Sequence, residues 1–264
     1  MASWTRRGTA AGCVLALALI GLGFEMSSKA VDSGGPAPGA QERPAVAFDG
    51  TNYLVVWEDS RAVQADVYGA RVTTSGQVVD DQGGIPIGVA SAFQVTPDVA
   101  VSGTSYLVVW RDNRNGNVDT YAARVSPGGT VLDPFGIAIG NSTIGRELPG
   151  GVAFDGTNYL VPWWWARIDS PFEEDIHARR VTPGGQPLGF SFPVNEQTNF
   201  QREPDVAFGG SYHLVVWTDE GPDDVRGSRV TPEGQVLDPV GYRSQRRPSS
   251  SGTRRSPTEA ACSS

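Results

Sequence analysis

The segment Tyr53-Leu54-Val55-Val56-Trp57 returns as Tyr106-Leu107-Val108-Val109-Trp110, then as Tyr159-Leu160-Val161-Pro162-Trp163, and last as His213-Leu214-Val215-Val216-Trp217. The four leucines stand 53, 53 and 54 residues apart, a period at which one unit is a small sheet rather than a domain. A parallel β-helix would repeat about every 20 to 30 residues and an immunoglobulin-like array about every 100. Repetition reports what a scaffold needs, so chemistry is sought where a repeat departs from its own pattern.

The second unit shows the strands best. Pro97 to Gly103 is a short strand ending at a turn, Tyr106 to Trp110 a second, and Asp119 to Val125 a third. Pro127-Gly128-Gly129 turns the chain into a fourth strand expected around Thr130 to Leu132, followed by Ile137-Ala138-Ile139. The second strand is apolar on both faces, with Tyr106, Val108 and Trp110 on one and Leu107 and Val109 on the other. Such a strand must be covered twice. Radial stacking of four-stranded antiparallel sheets does this, so the sequence predicts an all-β, β-propeller-like fold of four consecutive blades at about 41–93, 94–146, 147–200 and 201–241. With 33 glycines and 19 prolines among 264 residues, turns are plentiful enough for short strands.

Around this 41–241 body the chain divides further. Residues 1–30 read as an export signal, with Arg6 and Arg7 ahead of an apolar run from Cys13 to Phe24 and small residues at Ser28 and Ala30. Residues 31–40 read as a linker, and 242–264 as a disordered Arg/Ser-rich tail. The expected location is secreted or cell envelope, with no membrane span after cleavage. Cleavage leaves Cys262 alone, so no intramolecular disulfide is expected. A net charge of −8 argues against nucleic acid as partner.

Polar residues recur with the scaffold. Asp66, Asp119, Asp175 and Asp224 each precede Arg71, Arg124, Arg180 and Arg229 by five positions. A further acid follows the repeat tryptophans Trp57, Trp110 and Trp217 at Asp59, Asp112 and Asp219, and arginines stand at Arg61, Arg114 and Arg167. A group present once per blade is read as structural, with aspartates accepting loop amides and arginines pairing with them across the second and third strands. Asp112, Asn115 and Asp119 are the weak candidates for calcium in an oxygen-rich loop, although Arg114 occupies a position where a ligand oxygen would be needed. No other cofactor is expected.

The ordered motifs Tyr-Leu-Val-Val-Trp-x-Asp-x-Arg, Asp-x-Tyr-x-Ala-Arg-Val and Gly-x-Val-Leu-Asp-Pro-x-Gly-Ile-x-Ile resemble a repeat of about 53 residues in exported bacterial proteins of myxobacterial type, over residues 41–241. The resemblance implies a β-propeller outside the cytoplasm and no particular reaction. The turns Ser126 to Thr130 and Thr231 to Gln235 are similar to last-hairpin turns of sialidase-like propellers. The Ser-x-Asp-x-Gly-x-Thr-Trp box of those enzymes is missing, so no sialidase residue is carried over.

The third unit breaks the pattern. Trp163 keeps the core position, Pro162 predicts a bulge in its strand, and Trp164 and Trp165 are additional indoles suited to stacking on sugar or aromatic groups. With Glu173 and His177 in the lengthened loop they form the expected contact region for a carbohydrate or protein ligand. Glu173, Glu174 and His177 are the weak catalytic candidates, as acid, base and orienting group. The expected role is a binding or interaction module. The alternatives are a propeller-type hydrolase or lyase with a carboxylate pair, and an incomplete, truncated propeller whose open blade edges self-associate.

Overall fold

Each repeat folds into one antiparallel sheet because its apolar runs alternate with glycine turns at the same places. A computed structural model describes residues 39–140, 142–167, 174–198, 200–220 and 224–243. The export signal, most of the linker, Glu173 and the tail from residue 244 lie outside the described residues.

The first sheet holds β1 (Gln41–Phe48), β2 (Asn52–Asp59), β3 (Asp66–Thr73) and β4 (Ile85–Gly88) in chain order. The second holds β5 (Gln94–Val101), β6 (Tyr106–Asp112), β7 (Asp119–Val125) and β8 (Ile137–Gly140). In the third, β9 (Gly145–Pro149) and β10 (Ala153–Phe154) both pair with β11 (Tyr159–Arg167), followed by β12 (Glu174–Val181) and β13 (Pro187–Asn195). The fourth holds β14 (Gln201–Phe208), β15 (His213–Asp219), β16 (Asp224–Val230) and β17 (Tyr242–Arg243). The fold is all-β, four consecutive blades as the repeat predicts, with no helix among the described residues.

Local chemistry fixes the hairpins. Asp49 Oδ1 accepts the amides of Thr51 and Asn52 at 2.7 Å each, and Asp155 does the same for Thr157 and Asn158, so the first turn closes on its own aspartate. Arg43, Thr96 and Glu203 take positive φ of 52°, 52° and 51° immediately before Pro44, Pro97 and Pro204, and the register of each first strand shifts there. In the third unit Pro149 holds that position. A proline ring fixes φ near −65° and cannot follow, and the strand breaks into β9 and β10. Gly150 then lies directly against the Pro204 carbonyl of the next blade.

The first strands converge on a central cavity of about 490 Å³ bounded by Pro44, Pro97, Gly150 and Pro204. Between blades the core repeats: Leu54 and Val56 pack with Tyr106, Val108 and Trp110, and Leu107 and Val109 with Tyr159, Val161 and Trp163. Each such leucine or valine withdrawn from water contributes roughly 1.5–3 kcal/mol.

Three local expectations are corrected. The fourth strand of the second blade is Ile137–Gly140, while Val131 makes only an isolated bridge to Val125, because Asp133 draws the intervening segment to Arg124. Pairing of β11 with β12 passes through Pro162 without a bulge; its missing donor falls at the break between β9 and β10. Tyr242 and Arg243, assigned to the tail, close the fourth sheet as β17, where Arg243 Nε lies 2.9 Å from Asp224 Oδ2.

Candidate functional site

In the first two blades a buried polar lock sits beside the repeat tryptophan. Trp57 Nε1 donates to Asp59 Oδ2 at 2.9 Å, Gln41 Nε2 donates to the same oxygen at 3.1 Å, and Arg61 Nε reaches Oδ1 at 2.8 Å. The Arg61 guanidinium lies 4.0 Å from the Tyr68 ring centroid and donates to the Gly83 carbonyl at 2.6 Å. Trp110, Asp112, Arg114 and Tyr121 repeat this, with the indole bond at 2.8 Å and the stack at 4.5 Å. Burial raises the Asp59 carboxyl, yet the bonds from Arg61 and Trp57 outweigh it and leave its pKa below the ordinary value. In the fourth blade the tyrosine position is Arg226, which lies 2.6 Å from Asp219 and donates to the Val240 carbonyl at 3.1 Å.

The third blade replaces this lock. Glu147 stands where the others have Gln41, Gln94 and Gln201; Trp165 stands for the aspartate; His177 stands for the tyrosine; Arg179 stands where Ala70, Ala123 and Ser228 do. All four line one cavity of about 310 Å³, bounded also by Trp163 and by Ile139 and Gly140 of the second blade. Phe190, 94% exposed, stands at its edge.

The electrostatics of the cavity follow from those exchanges. Glu147 is 6% exposed, and burial, with the Asp119 charge adding to it, pushes its carboxyl up to about 7 against the Ser142 amide and Arg179. Burial alone pulls His177 down to about 4, so its imidazole is neutral at pH 7. His177 meets Trp165 edge to face with centroids 5.1 Å apart. The Trp163 indole N–H, 1% exposed, has no acceptor among the described residues, as is also true of the Trp217 indole beside Asp219. Arg179 donates to the Ile139 carbonyl at 2.9 Å and forms no ion pair among the described residues. The arrangement offers aromatic faces, a proton-holding acid and a cation with spare charge.

The structure thus gathers Trp165 and His177 of the expected contact region and separates Trp164 from them, while Glu173 lies outside the described residues. Trp164 and Trp165 are neighbours on a strand, so their rings leave opposite faces of the sheet and form no paired platform. Trp164 turns toward the fourth blade, with the guanidinium carbons of Arg111 and Arg202 5.5 and 6.0 Å from its ring centroid. Glu174 follows it, ion-paired with Arg202, and does not share the cavity with His177.

The repeated charges also pair differently from expectation. Arg71, Arg124 and Arg229 bind Asp80, Asp133 and Asp238, nine residues downstream, each with Nε 2.8–2.9 Å from a carboxylate oxygen. Arg180 has Gly189 at the corresponding place and donates instead to the Pro232 carbonyl at 3.1 Å. Asp66 and Asp119 lie directly across from Asp59 and Asp112, and burial raises their pKa, with the facing carboxylates adding to it. In the oxygen-rich loop Asp112 is held by Trp110 and Arg114, and Asn115 donates to Asp119 and to the Tyr121 hydroxyl. Glu147 and Arg179 escaped sequence reasoning. The glutamines at 41, 94 and 201, aligned with residue 147, carry the signal for the first.

No protein-family model and no curated protein matches the sequence. Among solved structures, the subtype N11 neuraminidase-like protein of A/flat-faced bat/Peru/033/2010 (H18N11) superposes with TM-score 0.54 at 9% identity, over 76% of this chain and 52% of that one. The α-L-arabinofuranosidase from Lactobacillus brevis superposes with TM-score 0.50 at 13% identity, over 79% and 81% of the two chains. Trypanosoma rangeli sialidase in complex with sialic acid gives 0.50 at 12% identity, over 78% and 37%. At these identities the likeness is one of fold, and the fold shared is the β-propeller.

Proposed function

We propose that this is an exported β-propeller repeat protein that binds carbohydrate in the cavity of its third blade. The observation that carries the reading is the joint departure of four positions, Glu147, Trp165, His177 and Arg179, onto one concavity. Drift in a structural repeat would scatter its changes. Here a closed lock becomes an opening lined by indoles and hydrogen-bonding groups, the composition with which proteins grip sugar rings. Carbohydrate-acting neighbours on the same scaffold, the arabinofuranosidase and the sialidase, agree with that class of ligand.

A glycan array of the full chain tests it. Wild type should retain a set of glycans that Trp165→Ala loses and Trp164→Ala keeps; an array unchanged by Trp165→Ala removes the cavity from the account. The hydrolase reading rests on Glu147, whose raised pKa suits a general acid. It predicts cleavage of a bound glycan that Glu147→Gln abolishes while binding survives.

A further inference from the structure

In three of the four blades a buried aspartate two residues after the repeat tryptophan holds a guanidinium of its own blade. Asp59 and Arg61 lie 2.6 Å apart, Asp112 and Arg114 2.5 Å, and Asp219 and Arg226 2.6 Å. The third blade loses the acid, because Trp165 follows Trp163 at that place. It also gains a cation. Arg179 lies across the sheet from Val161, and His177 lies across from Trp163, so the two side chains leave β12 on the same side and line the cavity with Trp165. The other blades carry the small residues Ala70, Ala123 and Ser228 opposite Val55, Val108 and Val215. Arg167, aligned with Arg61 and Arg114, lies 5.5 Å from the Trp165 ring centroid and is not among the cavity's lining residues.

An arginine in place of alanine needs room and a counter-charge. The cavity gives the room. Arg179 Nη1 donates to the Ile139 carbonyl at 2.9 Å and Nη2 to the Gly189 carbonyl at 2.5 Å, which fixes the guanidinium without cancelling its charge. Its Nε is buried with no partner among the described residues, and so is His177 Nε2 beside it. Glu147 shares the cavity but forms no ion pair with Arg179, and burial pushes its carboxyl up to about 7. A cation held in a concavity and left without a carboxylate is met by one from outside.

We infer that the glycan of the third-blade cavity is an acidic one, whose carboxylate pairs with Arg179 as Asp59 pairs with Arg61. The inference rests on the carbohydrate reading above and narrows it. Arginine presents paired N–H groups that match the two oxygens of a carboxylate, while Trp165 and the exposed Phe190 offer faces to the sugar ring. Hexuronates and sialates both supply that group.

An array of oligosaccharides ending in glucuronate, galacturonate or sialate, each printed beside its primary amide and its neutral hexose counterpart, tests this with the full chain and tells the sources apart. Wild type should bind an acid about tenfold more tightly than its amide. Arg179→Ala restores the residue of Ala70 and Ala123, so it should fold, and it should bind acid and amide alike at the wild-type level for the amide. Arg179→Lys keeps the charge without the paired N–H groups and should hold part of the preference. A wild type that binds acid and amide equally or retains neutral glycans alone, or a preference that survives in Arg179→Ala, overturns the inference and leaves the carbohydrate reading standing. Binding of no glycan, or binding indifferent to Trp165→Ala, overturns both.

Discussion

Arg226 Nε lies 2.6 Å from Asp219 Oδ2, supplying from the third strand of the fourth blade the guanidinium that Arg61 and Arg114 supply from a loop. The repeat preserves a charge in a place and not a residue at a position. Asp219 is fully buried, so its carboxylate needs a cation wherever the backbone can furnish one.

The first prediction follows. Arg226→Tyr restores the side chain of Tyr68 and Tyr121 yet should lower stability by about 3 kcal/mol, because it takes the guanidinium away from a buried acidic group. Adding Asp219→Asn should recover part of the loss, and a double-mutant cycle in urea would read a coupling above about 1 kcal/mol. Additive losses would mean that Arg226 and Asp219 do not stabilise each other.

Asp66 and Asp80 should respond in opposite directions. Asp66 faces Asp59 across the sheet and its pKa is raised, first by burial, so Asp66→Asn should stabilise the protein at pH 7 by about 1 kcal/mol. Asp80 binds Arg71 through two oxygens, at 2.9 Å to Nε and 2.8 Å to Nη2. Its carboxyl is held below the ordinary range by that arginine, and Asp80→Ala should cost about 2 kcal/mol. Chemical denaturation of the two variants measures both signs.

Much of this was legible in the chain. The period, the two-faced second strand and its leucine and tyrosine faces follow from alternation along Tyr106 to Trp110. The ion pairs did not, because Asp66 and Arg71 are close in sequence, whereas Asp80 reaches Arg71 only through the turn after β3. The site was half legible: Trp165 and His177 interrupt conspicuous motifs, while Glu147 differs from its glutamine counterparts by one polar atom. Burial turns that atom into a proton-binding group, and burial is not written in the residue type. Trp164 was misplaced beside Trp165 because adjacency in sequence means opposition on a strand.

Gly150 supports a prediction about the axis. A side chain there would strike the Pro204 carbonyl of the next blade, so Gly150→Ala should cost at least about 3 kcal/mol by forcing two blades apart. Gly184, whose built Cβ meets only Thr182 Oγ1 at 3.5 Å, should accept alanine with no loss. Thermal unfolding of the two variants separates a close approach from a general intolerance of alanine.

Glu147 and His177 should conceal each other's pH dependence. Glu147 titrates near 7 in the folded state and near 4.5 unfolded, so between those values only the folded chain holds the proton. Its contribution to stability rises as pH falls through that window, by about 3 kcal/mol in all. His177 titrates near 4 folded and 6.5 unfolded, so acidification protonates only the unfolded chain and stability falls by a similar amount. From pH 6.5 to 4.5 the two slopes cancel in wild type. Glu147→Gln, which restores the side chain of the other blades, should be more stable than wild type at pH 7.5 and lose stability relative to it on acidification. His177→Tyr should gain relative stability over the same range. Urea unfolding at a series of pH values would show the two variants diverging in opposite directions; parallel curves would mean that these groups do not titrate inside the fold as their burial requires.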